Sequence, residues 1–248
     1  VYKDNRPWSW TEGGVLEGID VDLARALADA LGVKADVVEF MAGDDMSDDL
    51  RNVVWRGGLL GFRRCDVMMH VPVDRKLQQD NDNVAIGAAY YREGFAAACA
   101  NEQSDCEVPP TQFKGQRLAA ATGTIADSYL MGGFGGALRT SVVHFNTGYE
   151  AVTALGRKGA HDGVDVAMAT RAEVEAGLHD LADPAIHRRK GPLQAIMSPG
   201  WDVGVAVREN SRTLSDAIEQ IIGAMAADGR LSRLFAGHGV AWQPALSA

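Results

Sequence analysis

No stretch of this sequence approaches the eighteen or more consecutive apolar residues of a membrane-spanning helix. Cations are the scarcer charge: 24 Lys and Arg stand against 33 Asp and Glu, a net charge of −9. Nucleic-acid binding draws on clustered Lys and Arg, so this acidic balance argues against it. Cysteine is scarce too. Of the three, Cys99 and Cys106 flank the polar run "ANEQSD", a span short enough for a disulfide to close. Two unpaired thiols in a reducing compartment are the alternative, and export favours the bond. Cys65 opens a hydrophobic run and reads as a small core residue.

Catalytic signatures are missing as well. The six histidines are scattered, with no H-x-x-x-H spacing, so no metal site is expected. "GDDMSDDL" lacks the alternating ligands of a calcium loop. "GGFGGA" at 132–137 follows a helical pattern rather than a strand, so it is not a dinucleotide fingerprint. No G-x-S-x-G elbow or P-loop occurs. The sequence therefore points away from an enzyme and names no cofactor. Because it begins at Val1 without methionine, an upstream segment such as a cleaved secretion signal is expected.

What is present is a core-forming chain, 46% hydrophobic over 248 residues, enough for one large or two smaller domains. "EGIDVDLARALADALGV" reads as a helix with Asp20 as N-cap, Leu23, Leu27 and Leu31 on one face, and Gly32 at its end. "KADVVEF" reads as a strand, "GDDMSDDLRNVVWRGG" as an acidic lead into a short helix, and "CDVMMHVPV" as another strand. The β-α-β-α-β order favours a parallel sheet. Two extended pieces follow around Tyr90 and Tyr91. Strand, turn and helix then recur in "QRLAAATGTIADSYLMGG", "VVHFNTGYEAVTALG" and "VDVAMATRAEVEAGL", which suggests a second α/β unit. Near the end, Leu214, Ile218, Ile221, Ile222 and Met225 form one helical face, Gly229 breaks it, and Leu231, Leu234 and Phe235 restart it.

One stretch raises a functional question. "CDVMMHVPVDRKL" runs from a hydrophobic strand straight into a polar turn, with His70 and Asp74 at its exit. Exits of parallel strands are where open α/β folds bind ligands. Strand alternation sends Val67, Met69 and Val71 to one side and Met68 and His70 to the other, with Pro72 ending the pairing. His70 reads as a hydrogen-bonding wall residue rather than a base. "TGTI" at 122–125 opens a helix with free N–H groups, an anion site in principle.

Three segments carry a family resemblance. "LEGIDVDLARALADALGVKADVV" resembles the first lobe of type II periplasmic solute-binding proteins (extracellular solute-binding protein family 3). "FKGQRLAAATGTIAD" resembles the start of their second lobe. "WDVGVAVRENSRTLSDAIEQIIGAMAADGRLSRLFAGHG" is similar to their return strand and terminal helices. The resemblance implies an α/β fold of two Rossmann-like lobes joined by two crossover strands, with a ligand cleft between them. The expected first lobe is 1–97 with 198–248, and the second 98–197. The expected cleft residues are Trp8, Trp10, His70, Pro72, Asp74, Tyr90, Thr122, Gly123, Thr124 and Thr170, with one of Tyr90 and Tyr91 facing out. The protein is expected to be exported to the periplasm as a monomer.

"LRNVVWRGGLLGFRRCDVMMHVPVD" looks more narrowly like the MxaJ/XoxJ-type branch that accompanies quinoprotein dehydrogenases. That resemblance implies an accessory to a pyrroloquinoline-quinone-dependent methanol or alcohol dehydrogenase. A receptor delivering a small solute other than a standard amino acid to an ABC transporter is the alternative, and the cleft is a seat for a small-molecule or peptide ligand. One departure counts against an amino-acid carrier. Amino-acid binders place Thr-x-x-Arg after this strand, and the arginine clamps the ligand carboxylate. Here Pro72 stands three residues before Arg75, and Asp74 would repel a carboxylate. After the second-lobe strand, Thr170 and Arg171 stand where an acidic residue often grips an amino group.

Overall fold

Gly18 fixes where the first helix begins. Its φ of 132° suits glycine, and a Cβ there would lie 2.2 Å from the Trp8 carbonyl oxygen. Strands β1 (Trp10–Glu12) and β2 (Val15–Glu17) form an antiparallel hairpin just before it, and α1 (Ile19–Ala30) follows. The first amides of α1 find backbone acceptors in the preceding loop. Ile19 N–H donates to Pro7 O at 3.0 Å, and Asp20 N–H to Trp8 O at 2.9 Å. The N-cap is therefore Gly18, not the expected Asp20, whose carboxylate is turned inward.

The computed structural model describes residues 1–58, 61–100, 106–157, 159, 161–196 and 198–246. After α1 come α2 (Met46–Leu50), β3 (Val67–Pro72), α3 (Arg75–Gln79), β4 (Val84–Glu93) and β5 (Phe95–Cys99). Then follow β6 (Leu118–Ala121), α4 (Ile125–Gly132), β7 (Val142–Phe145), α5 (Gly148–Thr153), β8 (Val166–Thr170), α6 (Arg171–Leu181) and β9 (His187–Arg188). The chain closes with β10 (Trp201–Arg208), α7 (Arg212–Ala227) and α8 (Arg230–Ala236). It divides into two compact units, Val1–Arg92 with Trp201–Ala248, and Glu93–Gly200.

In the first unit the main sheet has the order β3-β10-β4, and β3 runs antiparallel to β10. This differs from the parallel pairing expected of a β-α-β-α-β run, because the returning strand β10 takes the place beside β3. "KADVVEF" also departs from expectation: among the described residues it pairs only at Phe40, in a parallel bridge to Tyr2. Tyr2, Phe40, Leu50, Val54, Met68 and Val71 share one core. Helix α7 buries Ile218, Ile222 and Met225, and α8 buries Leu231 and Phe235, as their spacing predicts.

The second unit is built on a sheet of order β7-β6-β8-β5-β9. Strand β6 is parallel to β7 and β8, and β5 is antiparallel to β8 and β9. Both faces are buried. Ala119, Ala167 and Ala169 pack with Val152 and Val174, while Leu118, Ala120, Val166 and Met168 pack with Leu130 and Phe113. The period-two alternation of these strands feeds two cores at once. Cys99 and Cys106 form a disulfide with Cα atoms 5.8 Å apart. The buried Arg189 guanidinium donates to the carbonyls of Cys106 and Val108 at 2.5 and 2.6 Å. Residues 101–105, most of the "ANEQSD" run, lie outside the described residues.

Candidate functional site: the strand exits of each unit

His70 occupies a β-bulge. Met68 pairs with Ala206 and Val71 with Gly204, so Met69 and His70 together stand against Val205. His70 takes the left-handed φ of 62° that lets the strand absorb the extra residue. The bulge shifts the alternation by one, and Met68 and Val71 end up in the same core rather than on opposite faces. The freed His70 ring packs on Trp8, with centroids 4.5 Å apart. Its Nδ1 lies 3.2 Å from Asp20 Oδ2, at ion-pair distance but without hydrogen-bond alignment. Its backbone N–H donates to the Tyr90 hydroxyl at 3.2 Å, and that hydroxyl donates to Asp20 Oδ1 at 2.6 Å. Burial, with the Asp20 charge beside it, pushes the Tyr90 pKa well above its ordinary value. This Asp20–Tyr90–His70 cluster belongs to the interior of the first unit.

Two expected surface aromatics are corrected by this packing. Trp8 is 2% exposed and Tyr90 1%, so neither lines an open surface. Trp8 lies edge-on to Tyr91 and Phe235 at 5.3 and 5.9 Å, and those two stack at 4.9 Å. Tyr91 is buried as well, because β4 is covered on both faces: Phe235 on one side, Asp20 and His70 on the other. The end of β4 is further covered by the C-terminal tail. Trp242 Nε1 donates to Tyr90 O at 2.7 Å, and Arg92 N–H to Gln243 O at 3.0 Å. Sequence reasoning missed Trp242, since a lone tryptophan past the last helix carries no periodic signal.

The other first-unit residues divide by role. Trp10 stays half-exposed, with the Arg6 guanidinium 4.5 Å above its ring. Pro72 is half-buried, is paired opposite Val203 and is the last residue of β3. Asp74 is the N-cap of α3 and accepts from Leu77 N–H at 2.8 Å. Arg75 follows it, exposed, in the first turn.

In the second unit the helix starts are filled by the chain's own carboxylates. Thr124 caps α4, accepting from Asp127 N–H at 3.2 Å, and Asp127 in turn accepts from Gly123 N–H at 2.9 Å. Asp127 also meets His144 at 2.9 Å. Thr122 is exposed and its amide donates to Phe145 O. The expected anion site at "TGTI" thus already holds a carboxylate beside its amides. Thr170 caps α6 in a capping box with Glu173. The same Glu173 accepts from Gly148 N–H at 3.1 Å, at the start of α5. A Cβ on Gly148 would lie 2.3 Å from Glu173 Oε2, so only glycine admits this contact. Glu93, 1% exposed, accepts from Gly94 N–H at 2.8 Å and Arg171 N–H at 3.1 Å. Burial pushes the Glu93 pKa up to about 8, against the pull of the Gly94 and Ala172 amides and the Arg171 charge. Sequence reading missed both Glu93 and Glu173. The T-x-x-E spacing of Thr170 and Glu173 was the available signal.

Among the described residues no cluster of three His, Cys, Asp or Glu side chains is placed to hold a metal, and no helix is long and apolar enough to cross a membrane.

No protein-family model matches the chain, and no curated protein matches its sequence. Solved structures do match, over nearly the full length. An ancestral cationic amino acid solute-binding protein is 16% identical with a TM-score of 0.68, covering 96% of this chain and 94% of its own. The GluR0 ligand-binding core in complex with L-glutamate is 14% identical with a TM-score of 0.64, covering 96% of each chain. A histidine kinase sensor domain similar to periplasmic binding proteins is 17% identical with a TM-score of 0.62, covering 98% and 97%. At these identities the likeness concerns architecture: the chain has the mixed α/β fold of the two-lobe type II periplasmic binding proteins.

Proposed function

We propose that this chain is a periplasmic binding protein in which the binding fold serves something other than uptake of a free amino acid. The carrying observation is the occupancy of the helix starts. Asp127 at α4, Glu173 at α5 and α6, and Glu93 at α6 already accept the amide hydrogens that an anionic ligand group would need. Asp74 does the same at α3. A ligand carboxylate would meet the charged Asp127, Glu173 and Asp74 and, at α6, amides already taken by Glu93, rather than free donors, and Arg75 lacks the preceding threonine of the amino-acid clamp.

The finer reading is an accessory factor that binds a quinoprotein methanol or alcohol dehydrogenase or assists its maturation. It draws on the MxaJ/XoxJ-like stretch at 50–74. An argument from cleft aromatics no longer supports it, because Trp8 and Tyr90 are interior residues and only Trp10 remains half-exposed. Reception of a small solute other than a standard amino acid is the alternative. Co-purification with a candidate quinoprotein dehydrogenase tests the accessory reading. Stoichiometric capture, weakened by Trp10→Ala with the circular dichroism unchanged, is expected. No capture of any such dehydrogenase turns the reading to the solute receptor.

A further inference from the structure

Charge is unevenly spread along this acidic chain. Residues 51–64, "RNVVWRGGLLGFRR", hold four arginines and no acid, in a chain whose net charge is −9. The cations are all arginine rather than lysine, and Trp55 and Phe62 stand among them. Arginine and aromatic side chains are the ones that protein interfaces enrich.

The backbone ties this stretch into a closed loop. The turn Arg51–Trp55 is π-wound, with Arg56 N–H donating to Arg51 O at 2.9 Å, a winding common at functional sites. Gly58 N–H donates to Phe62 O at 3.0 Å, and Cys65 N–H to Val53 O at 2.7 Å. A Cβ on Gly58 would lie 2.9 Å from Phe62 Cβ, and one on Gly57 3.2 Å from Phe62 O. These glycines therefore lay the backbone of Arg56–Gly58 beside that of Phe62–Arg64. From β10, the Arg208 guanidinium donates to Cys65 O at 3.3 Å and to the Asp66 carboxylate at 2.9 Å. Trp55 and Phe62 pack against the core of the first unit. Arg56, Arg63 and Arg64 stand exposed. Arg51 is engaged by Asp48 at 2.6 Å. Arg63 meets Asp36 at 3.7 Å, but their side chains are 88% and 78% exposed, so water screens that pair. Among the described residues, Arg56 and Arg64 have no ion-pair partner.

We propose that this arginine loop is a docking surface for an acidic segment of a protein partner, held by guanidinium–carboxylate pairs from Arg56, Arg63 and Arg64. The proposal rests on the accessory reading above and names the face that meets the dehydrogenase. The forked guanidinium matches the two oxygens of a carboxylate, which an ammonium does not. Because the loop is already tied at both ends, docking orders little backbone. The rest of the acidic chain repels an acidic partner, so the loop also fixes the orientation of the encounter. Three arginines are few for nucleic acid, whose binding sums many phosphate contacts, and for an anionic lipid surface, which calls for about four to eight clustered cations.

The test measures the affinity of a purified candidate quinoprotein dehydrogenase for the unaltered chain and three variants. One carries Arg56→Gln, Arg63→Gln and Arg64→Gln. Another carries Arg56→Lys, Arg63→Lys and Arg64→Lys. A control for net charge carries Lys114→Gln, Arg139→Gln and Lys190→Gln in the second unit. All six positions are exposed, and circular dichroism and Tm check that the variants fold. The glutamine variant is expected to bind about tenfold more weakly or worse, with a shallower dependence of affinity on salt. The lysine variant should lose part of the affinity, and the control none. Unchanged affinity in the glutamine variant, or an equal loss in the control, would overturn the proposal and leave the accessory reading standing. No binding by the unaltered chain would overturn both. Binding to phosphatidylglycerol vesicles, or dimerisation, that the glutamine variant alone abolishes would also overturn it, assigning the loop to a membrane or to a second copy.

Discussion

The two units solve the same problem, covering a sheet, with different completeness. The second unit buries both faces of its central strands β6, β8 and β5, ties its β5 end with the Cys99–Cys106 bond and the Arg189 latch, and satisfies its helix starts with its own acids. The first unit has three strands in its main sheet, a bulge at His70, and an apolar groove beside β3. The second is thus closed around small alanine-rich strands. The first relies on large aromatics, Trp8, Tyr90, Tyr91 and Phe235, for its cohesion.

The largest test of this contrast is Trp8→Ala. The ring is buried among Tyr91, Phe235 and His70, so its removal should destabilise the first unit by roughly 3–5 kcal/mol. Chemical denaturation followed by hydrogen exchange should place the loss in the first unit, leaving the protection of β6 and β8 unchanged. Loss spread evenly over both units would show that Trp8 does not anchor the first unit alone.

Glu93 gives the next effect. Its pKa rises from an ordinary 4.5 to about 8 in the folded chain. The folded protein holds a proton across a range where the unfolded chain has released it. The contribution of Glu93 to stability is therefore greatest below about pH 4.5 and falls as pH rises towards 8, by an amount on the order of a few kcal/mol. Glu93→Gln should flatten that part of the stability–pH curve. An unaltered slope would remove Glu93 as its source. Smaller again, reduction of the disulfide should cost roughly 2–3 kcal/mol, confined to the second unit.

The outline of the fold was legible because it rests on periodicity. The helical faces at Ile218, Ile222 and Met225 and the alternation in "LAAA" and "VAMAT" show directly in the residues. The sites were less legible because they rest on backbone detail. Nothing in "MMHVPVD" announces a bulge, yet that bulge turns His70 towards Trp8 and Asp20 and puts Met68 and Val71 in one core. Asp20 looked like a cap because Asp commonly caps helices, but Gly18 lets the chain pass so close to Trp8 that backbone carbonyls do the work. Trp8 and Tyr90 read as cleft aromatics because the covering elements, α8 and the Trp242–Gln243 tail, lie about 150 to 230 residues further along the chain, beyond any local pattern. Glu93 and Glu173 lie far in sequence from some of the amides they satisfy, 78 residues for Arg171 and 25 for Gly148.

On the proposed reading, helix starts filled from within leave no seat for an amino-acid carboxylate. Titration calorimetry of the purified protein against the twenty standard amino acids tests it most directly. No binding at micromolar affinity is expected for any of them. Micromolar or tighter binding by one of them, with Asp127, Glu173 and Glu93 unchanged, would contradict it.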